Sequence, residues 1–193
     1  LIQVNAGSTL TGTGLTAGVT LTGTLAGLGT VELPITIDGG TISPGASPGT
    51  MTTVGQTWLG GVYLWELNDA TEAKAGMDPG YDKLNIIGTL DLEHLVAFTI
   101  DINSIGGTPA NYSNTATYNW TIASATLIEG FDAVKSKITL DYETTWTPDM
   151  AGRAFTLAQV NTSDANLLVL TLTTTTTVRT WLSEAATNEW GKT

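Results

Sequence analysis

Alternation of apolar and polar residues, broken by recurring glycines, is the feature that most constrains this chain. Val19-Thr20-Leu21-Thr22, Val31-Glu32-Leu33, Ile35-Thr36-Ile37-Asp38 and Leu90-Asp91-Leu92-Glu93 all alternate with period two. In an extended strand, that period sends apolar side chains to one face of a sheet and polar ones to the other. No stretch repeats its apolar residues at the helical period. Asp69 to Lys74 is the best helical segment, and it is too short to be stable by itself. The fold class expected is all-β.

The glycines fall in a pattern. Gly-Thr recurs at Gly12-Thr13, Gly23-Thr24, Gly29-Thr30, Gly39-Gly40-Thr41, Gly49-Thr50 and Gly88-Thr89. Each glycine can form a corner, and the threonine after it opens the next strand. From Gly23 to Gly40 the repeat spans 17 residues. Short strands with corners at such a period suit a solenoid of stacked coils. They also suit a β-sandwich, and periodicity alone leaves both open. Pro44-Gly45 and Pro48-Gly49 predict a tight double bend, with positive φ at Gly45 or Gly49. Bulky strands are expected at Val62–Leu67, Lys83–Leu92, Phe98–Ile105 and Tyr118–Ala123, with a polar loop from Asn68 to Asp82. Phe155–Val160 and Leu167–Thr173 read as the arms of a hairpin. These signals divide the chain into β-solenoid coils over 1–105, a β-rich continuation or cap over 106–177, and an extended tail or linker over 178–193.

Gly39-Gly40-Thr41-Ile42-Ser43-Pro44-Gly45-Ala46-Ser47-Pro48-Gly49-Thr50 resembles the G-G-T-L-S-P-G-N-S-P-G-T signature of autotransporter-associated β-strand repeats. Gly80-Tyr81-Asp82-Lys83-Leu84-Asn85-Ile86-Ile87-Gly88-Thr89-Leu90 is similar to that family's Y-D-x-L-x-V-x-G-x-x-x-L segment. Arg179-Thr180-Trp181 with Asn188-Glu189-Trp190 looks like the opening of a following repeat. The likeness covers about residues 8 to 177. It departs at Ala46, where asparagine is usual, and at Met51-Thr52-Thr53, where aliphatics are common. The resemblance implies a right-handed parallel β-helix (β-solenoid) in a large exported bacterial surface protein of passenger type, or of planctomycete-like texture. It implies no catalytic residues, because the signature consists of turn formers.

Composition narrows the partners. The 193 residues hold 7 Lys+Arg against 18 Asp+Glu, a formal net charge of −11. Such a surface repels phosphate backbones and anionic lipid, so neither nucleic acid nor a membrane surface is an expected partner. No apolar run is long enough to span a membrane. Only 13% of residues are charged, which separates the chain from acidic disordered tails. With no cysteine, thiolate metal sites, iron–sulfur clusters and thiol nucleophiles are excluded. Abundant threonine and glycine with little lysine suggest an extracellular surface. The chain opens at Leu1, so it reads as a processed product or an excised piece.

Candidate chemistry is thin. Gly12-Thr13-Gly14-Leu15-Thr16-Ala17 fits G-x-G-x-x-A but has strand pattern on both sides. Gly191-Lys192-Thr193 imitates the end of a P-loop without its first glycine. His94, the single histidine, reads as an exposed residue at a strand end. Glu66, Asp69, Glu72, Asp78 and Asp82 cluster in sequence. They read first as a solvated acidic loop. Calcium ligation, with Asn68 added, and glycan hydrolysis by carboxylates on neighbouring coils are the sharper alternatives. Of six tryptophans, Trp65 and Trp120 lie in alternating strands and are expected in the core. Trp146, in Thr144-Thr145-Trp146-Thr147-Pro148, is expected exposed and is the candidate glycan contact. Asn111, Asn119 and Asn161 begin N-glycan sequons.

The ends supply the remaining candidates. Leu1, Ile2 and Val4 form an apolar extended segment without a charge to blunt it. Leu170, Leu172, Val178 and Trp181 belong to a long β-prone run. Both are expected to serve as strand-exchange or assembly segments. The function expected is therefore a structural or adhesive module, not an enzyme, that joins copies of itself or adjacent repeats end to end. A carbohydrate-binding or glycan-cleaving β-helix is the alternative.

Overall fold

A computed structural model describes residues 1–11, 18–45 and 47–175. Its strands are Ile2–Val4 (β1), Thr9–Leu10 (β2), Val19–Leu21 (β3), Thr24–Gly27 (β4), Thr30–Val31 (β5), Ile35–Pro44 (β6) and Thr50–Thr53 (β7). They continue with Gln56–Leu67 (β8), Lys83–Asp91 (β9), Ala97–Ser104 (β10), Tyr118–Glu129 (β11), Ile138–Asp141 (β12), Arg153–Asn161 (β13) and Asn166–Thr174 (β14). Helix is confined to one four-residue turn, Phe131–Val134 (α1), and 3-10 turns at Glu72–Lys74 and Lys135–Lys137. The chain is all-β, with its strands joined in one large mixed sheet.

Three parallel ladders organise that sheet. The first runs β1, β4, β6, β8, β10, β12, through the pairs Ile2↔Leu25, Leu25↔Ile42, Ile42↔Tyr63, Tyr63↔Ile100 and Ile100↔Leu140. Because facing residues in a parallel pair share a sheet face, these six form one column. Leu25, Ile42, Tyr63 and Ile100 are buried. Each fully buried aliphatic side chain in such a column contributes about 1.5–3 kcal/mol. The second ladder runs β3, β6, β8, β9, β11 through Ile35↔Gln56, Gln56↔Leu90 and Leu90↔Ile128. The third runs β2, β5, β7, β9, β11 through Leu10↔Val31, Val31↔Thr53, Thr53↔Ile86 and Ile86↔Ala125.

Gln56 stands in an otherwise apolar column and is 3% exposed. Its amide is fully used there: Nε2 donates to Thr53 Oγ1 at 3.2 Å, and Oε1 accepts from Trp58 Nε1 at 2.7 Å. Buried polar groups are tolerated when they are paired in this way.

Long strands serve two ladders by bending at glycine. β6 belongs to the second ladder through Ile35–Ile37 and to the first through Thr41–Ser43. Its bend at Gly39-Gly40 stacks on the bend of β8 at Gly60-Gly61, where Gly40 faces Gly61. Gly61 has φ +132°, and a Cβ there would collide with the Gly40 carbonyl. Glycine is required at that corner for both reasons.

The expected strands and loop are present, and the double bend has Gly45 at φ +94°. The hairpin is present as well: β13 and β14 pair antiparallel from Arg153↔Thr174 to Asn161↔Asn166. The spacing of 17 residues does not persist. First-ladder partners lie 17 residues apart at Thr24↔Thr41, 21 at Thr41↔Val62, 37 at Val62↔Thr99 and 40 at Thr99↔Thr139. Loops inserted between later strands lengthen each return. Pairing also crosses residue 106, since β11 pairs with β9 and β12 with β10.

The core is rich in aromatic rings. Trp58 stacks on Phe98 with centroids 4.2 Å apart, and Trp65 packs against Trp120 at 5.6 Å. All four are buried, in keeping with the core placement expected of Trp65 and Trp120.

Candidate functional site

Trp146 lies in a loop after β12, as expected, but it is not exposed. Its ring is 7% accessible. It meets Phe155 edge-on at 5.1 Å, Tyr112 at 5.8 Å and Trp120 at 6.5 Å. The expectation of a free sugar-stacking face is therefore corrected. Ser104 draws the loop inward: Ser104 Oγ accepts from the Thr147 backbone N–H at 2.9 Å, and the Ser104 backbone N–H donates to the Thr145 carbonyl at 3.2 Å. Arg153 closes the same cluster. Its guanidinium lies 5.4 Å from the Tyr112 ring centre, and it donates to the Ser113 and Ala116 carbonyls.

The acidic residues are largely internal struts, not a solvated loop. Asp82 is fully buried. Its Oδ1 accepts from Gly49 N–H at 2.8 Å and its Oδ2 from Glu66 N–H at 3.0 Å. Burial pushes its acidity up to about 9, against the pull of those two N–H groups and with the Glu66 charge adding to the rise. Asp69 goes the other way. Burial raises it, but Lys74, Thr71 and Asn111 outweigh that and hold it well below the usual carboxylate range. The Lys74 ammonium is 2.6 Å from Asp69 Oδ2, and Asn111 Nδ2 lies 3.1 and 3.0 Å from the two oxygens.

Glu72 Oε1 accepts from Asn119 N–H at 2.6 Å, and Asp78 Oδ1 from Asn68 Nδ2 at 2.9 Å. The oxygens proposed for calcium thus already accept hydrogen bonds within the chain. Among the described residues, no group of three or more His, Cys, Asp or Glu is arranged to hold a metal ion. On the outer face, burial and the Asp101 charge raise Glu66, while burial and the Asp141 charge raise Asp101. His94 is exposed in the turn between β9 and β10.

The terminal segments divide. Leu1 is 87% exposed and Ile2 46%, whereas Val4 is buried against β4. Among the described residues β1 pairs only with β4, so its other edge is open. Leu170 and Leu172 are fully buried, and their strand β14 is paired on both sides, with β11 and β13. Those two residues are core, and the expectation that they offer a strand to a neighbour is corrected. The open edge of the hairpin belongs to β13, whose Val160 is 43% exposed. Sequence signals of that order exist. Leu167–Leu172 is apolar on both faces, as a strand flanked on both sides is, whereas β13 alternates with Thr156, Ala158 and Val160. Val178 and Trp181, the phosphate-like motifs at Gly12–Ala17 and Gly191–Thr193, and the repeat-like Trp190 lie outside the described residues.

No protein-family model matches the chain, and no curated protein matches its sequence. Among the described residues no helix is long and apolar enough to cross a membrane.

Proposed function

We propose that this chain is a structural or adhesive module of an exported bacterial surface protein, built as a right-handed parallel β-helix and without catalytic activity. One observation carries the reading. The three parallel ladders advance in chain order, so each new stretch of chain is laid on the one before it. A stack of that kind gains length and a hydrogen-bonded wall without forming a central reaction cleft. The resemblance of Gly39–Thr50 to autotransporter-associated repeats supports the same reading. So does the internal use of the carboxylates, which are engaged in holding loops instead of converging on a shared opening. Extracellular placement on a bacterial cell surface follows from this reading and from the cysteine-free, threonine-rich composition.

The test is incubation of the purified chain with a panel of cell-surface and plant polysaccharides, with reducing ends and binding heat both measured. No reducing ends should be released. Saturable binding without turnover selects adhesion over a purely structural role, and any glycan cleavage overturns the proposal.

A further inference from the structure

The C-terminal hairpin does more than end a ladder. β14 lies antiparallel on β11, and β13 lies antiparallel on β14. Two reversals restore the original direction. β13 therefore runs the same way as β11, β9, β7, β5 and β2. The other two ladders need no such correction, because they stay parallel to their last strands. At one end of the stack, among the described residues, β1, β2 and β3 each have a single partner. At the other end, β12 pairs only with β10, β13 only with β14, and Leu127–Glu129 of β11 only with β9. Every ladder thus ends in an open strand of the polarity with which it began.

The two faces also match in chemistry. β1, β2 and β3 carry no charge, proline or bulge, the devices that usually protect an open edge. Behind them is an apolar hollow lined by Ile2, Leu10, Val19, Leu21, Leu25 and Val31. On the opposite face Leu127 and Val160 are each 43% exposed, and Leu140, the last member of the column that Ile2 begins, is half-buried.

Resting on the reading of this chain as a stacked module, we infer that it binds a second copy of itself head to tail, with β1, β2 and β3 of one copy continuing β12, β13 and the end of β11 of the other. The hairpin is then an adaptor that restores strand direction, not a cap. Because the two faces differ, the contact is heterologous and propagates into a filament.

Two double variants test this. Ile2→Lys/Gln3→Lys places charge on the first face, and Ala158→Lys/Val160→Lys on the second; all four residues are exposed. Mass is measured by light scattering across a wide concentration range, with circular dichroism confirming the fold of each variant. Should a pair fail to fold, Gln3→Glu and Thr156→Glu replace it. Wild type should grow in mass with concentration, and each variant should stay at the mass of one chain. An equimolar mixture of the two variants should give the mass of two chains and no more, since each retains one working face. A wild type that stays monomeric, variants that assemble as wild type does, or a mixture that forms no dimer would overturn the inference. Any of these would leave the non-catalytic module intact, because that reading stands or falls on glycan turnover.

Discussion

The Asp82 carboxylate joins three successive layers of the chain: it accepts the Gly49 N–H at 2.8 Å from the double bend while its second oxygen takes the Glu66 N–H of β8 at 3.0 Å. Its own backbone carbonyl accepts the Trp65 indole N–H at 2.9 Å. One residue therefore ties the double bend, β8 and the loop entering β9 together inside the core. Asp82→Ala leaves two buried N–H groups unpaired, each costing about 1–3 kcal/mol. Urea unfolding should show a loss of about 2–5 kcal/mol for Asp82→Ala and a smaller loss for Asp82→Asn, which keeps one accepting oxygen. Equal stability of Asp82→Ala and wild type would contradict this role.

The same residue sets a pH dependence. Its folded acidity is raised to about 9, above its ordinary value, so folding favours the protonated form. The stability this contributes is fully present below about pH 4 and is lost as pH rises through about 9. The raised Glu66 and Asp101 act in the same direction, and the lowered Asp69 acts oppositely, losing its contribution as pH falls. Unfolding measured from pH 5 to 9 should show wild type losing stability relative to Asp82→Asn. Parallel curves for the two proteins would remove Asp82 as the cause.

Trp146 is an interior ring by its contacts with Phe155, Tyr112 and Trp120. Trp146→Ala should lower stability by about 3–5 kcal/mol, as large aromatic truncations in cores do. It should also blue-shifted tryptophan emission remove, leaving the residual spectrum of the other rings. An unchanged melting temperature would return Trp146 to the surface.

Glycine corners give a matched pair. Gly61→Ala meets both positive φ and the Gly40 carbonyl, and should cost about 1–3 kcal/mol. Gly23 has open space around a built Cβ and an ordinary φ, so Gly23→Ala should be neutral within about 0.5 kcal/mol. Thermal melts of the two variants side by side check this. Similar losses at both positions would contradict the corner geometry.

What could be read in advance was local. The hairpin of Phe155–Val160 with Leu167–Thr173 depends on alternation and a short polar loop, both visible in a window of twenty residues. The coil spacing failed because only the first return is free of long insertions; Asn68–Asp82 adds a loop between β8 and β9 that no period anticipates. Trp146 was misread because its neighbours in sequence are polar, while the rings that bury it, Tyr112, Trp120 and Phe155, come from elsewhere in the chain. The acidic cluster was misread for a similar reason: whether Asp82 faces water depends on Gly49 and Glu66, which its flanking residues do not reveal.

The stacking itself is best tested by a distance across it. The chain has no cysteine, so Thr24→Cys/Thr139→Cys gives two unique spin-label sites on the first ladder, four strand spacings apart. At the usual separation of neighbouring strands, that places their Cα atoms about 19 Å apart. Pulsed electron spin resonance should return a single narrow distribution near that distance, broadened only by the label arms. A distribution centred far beyond it, or one without a defined maximum, would contradict the three ladders and the stacked module built on them.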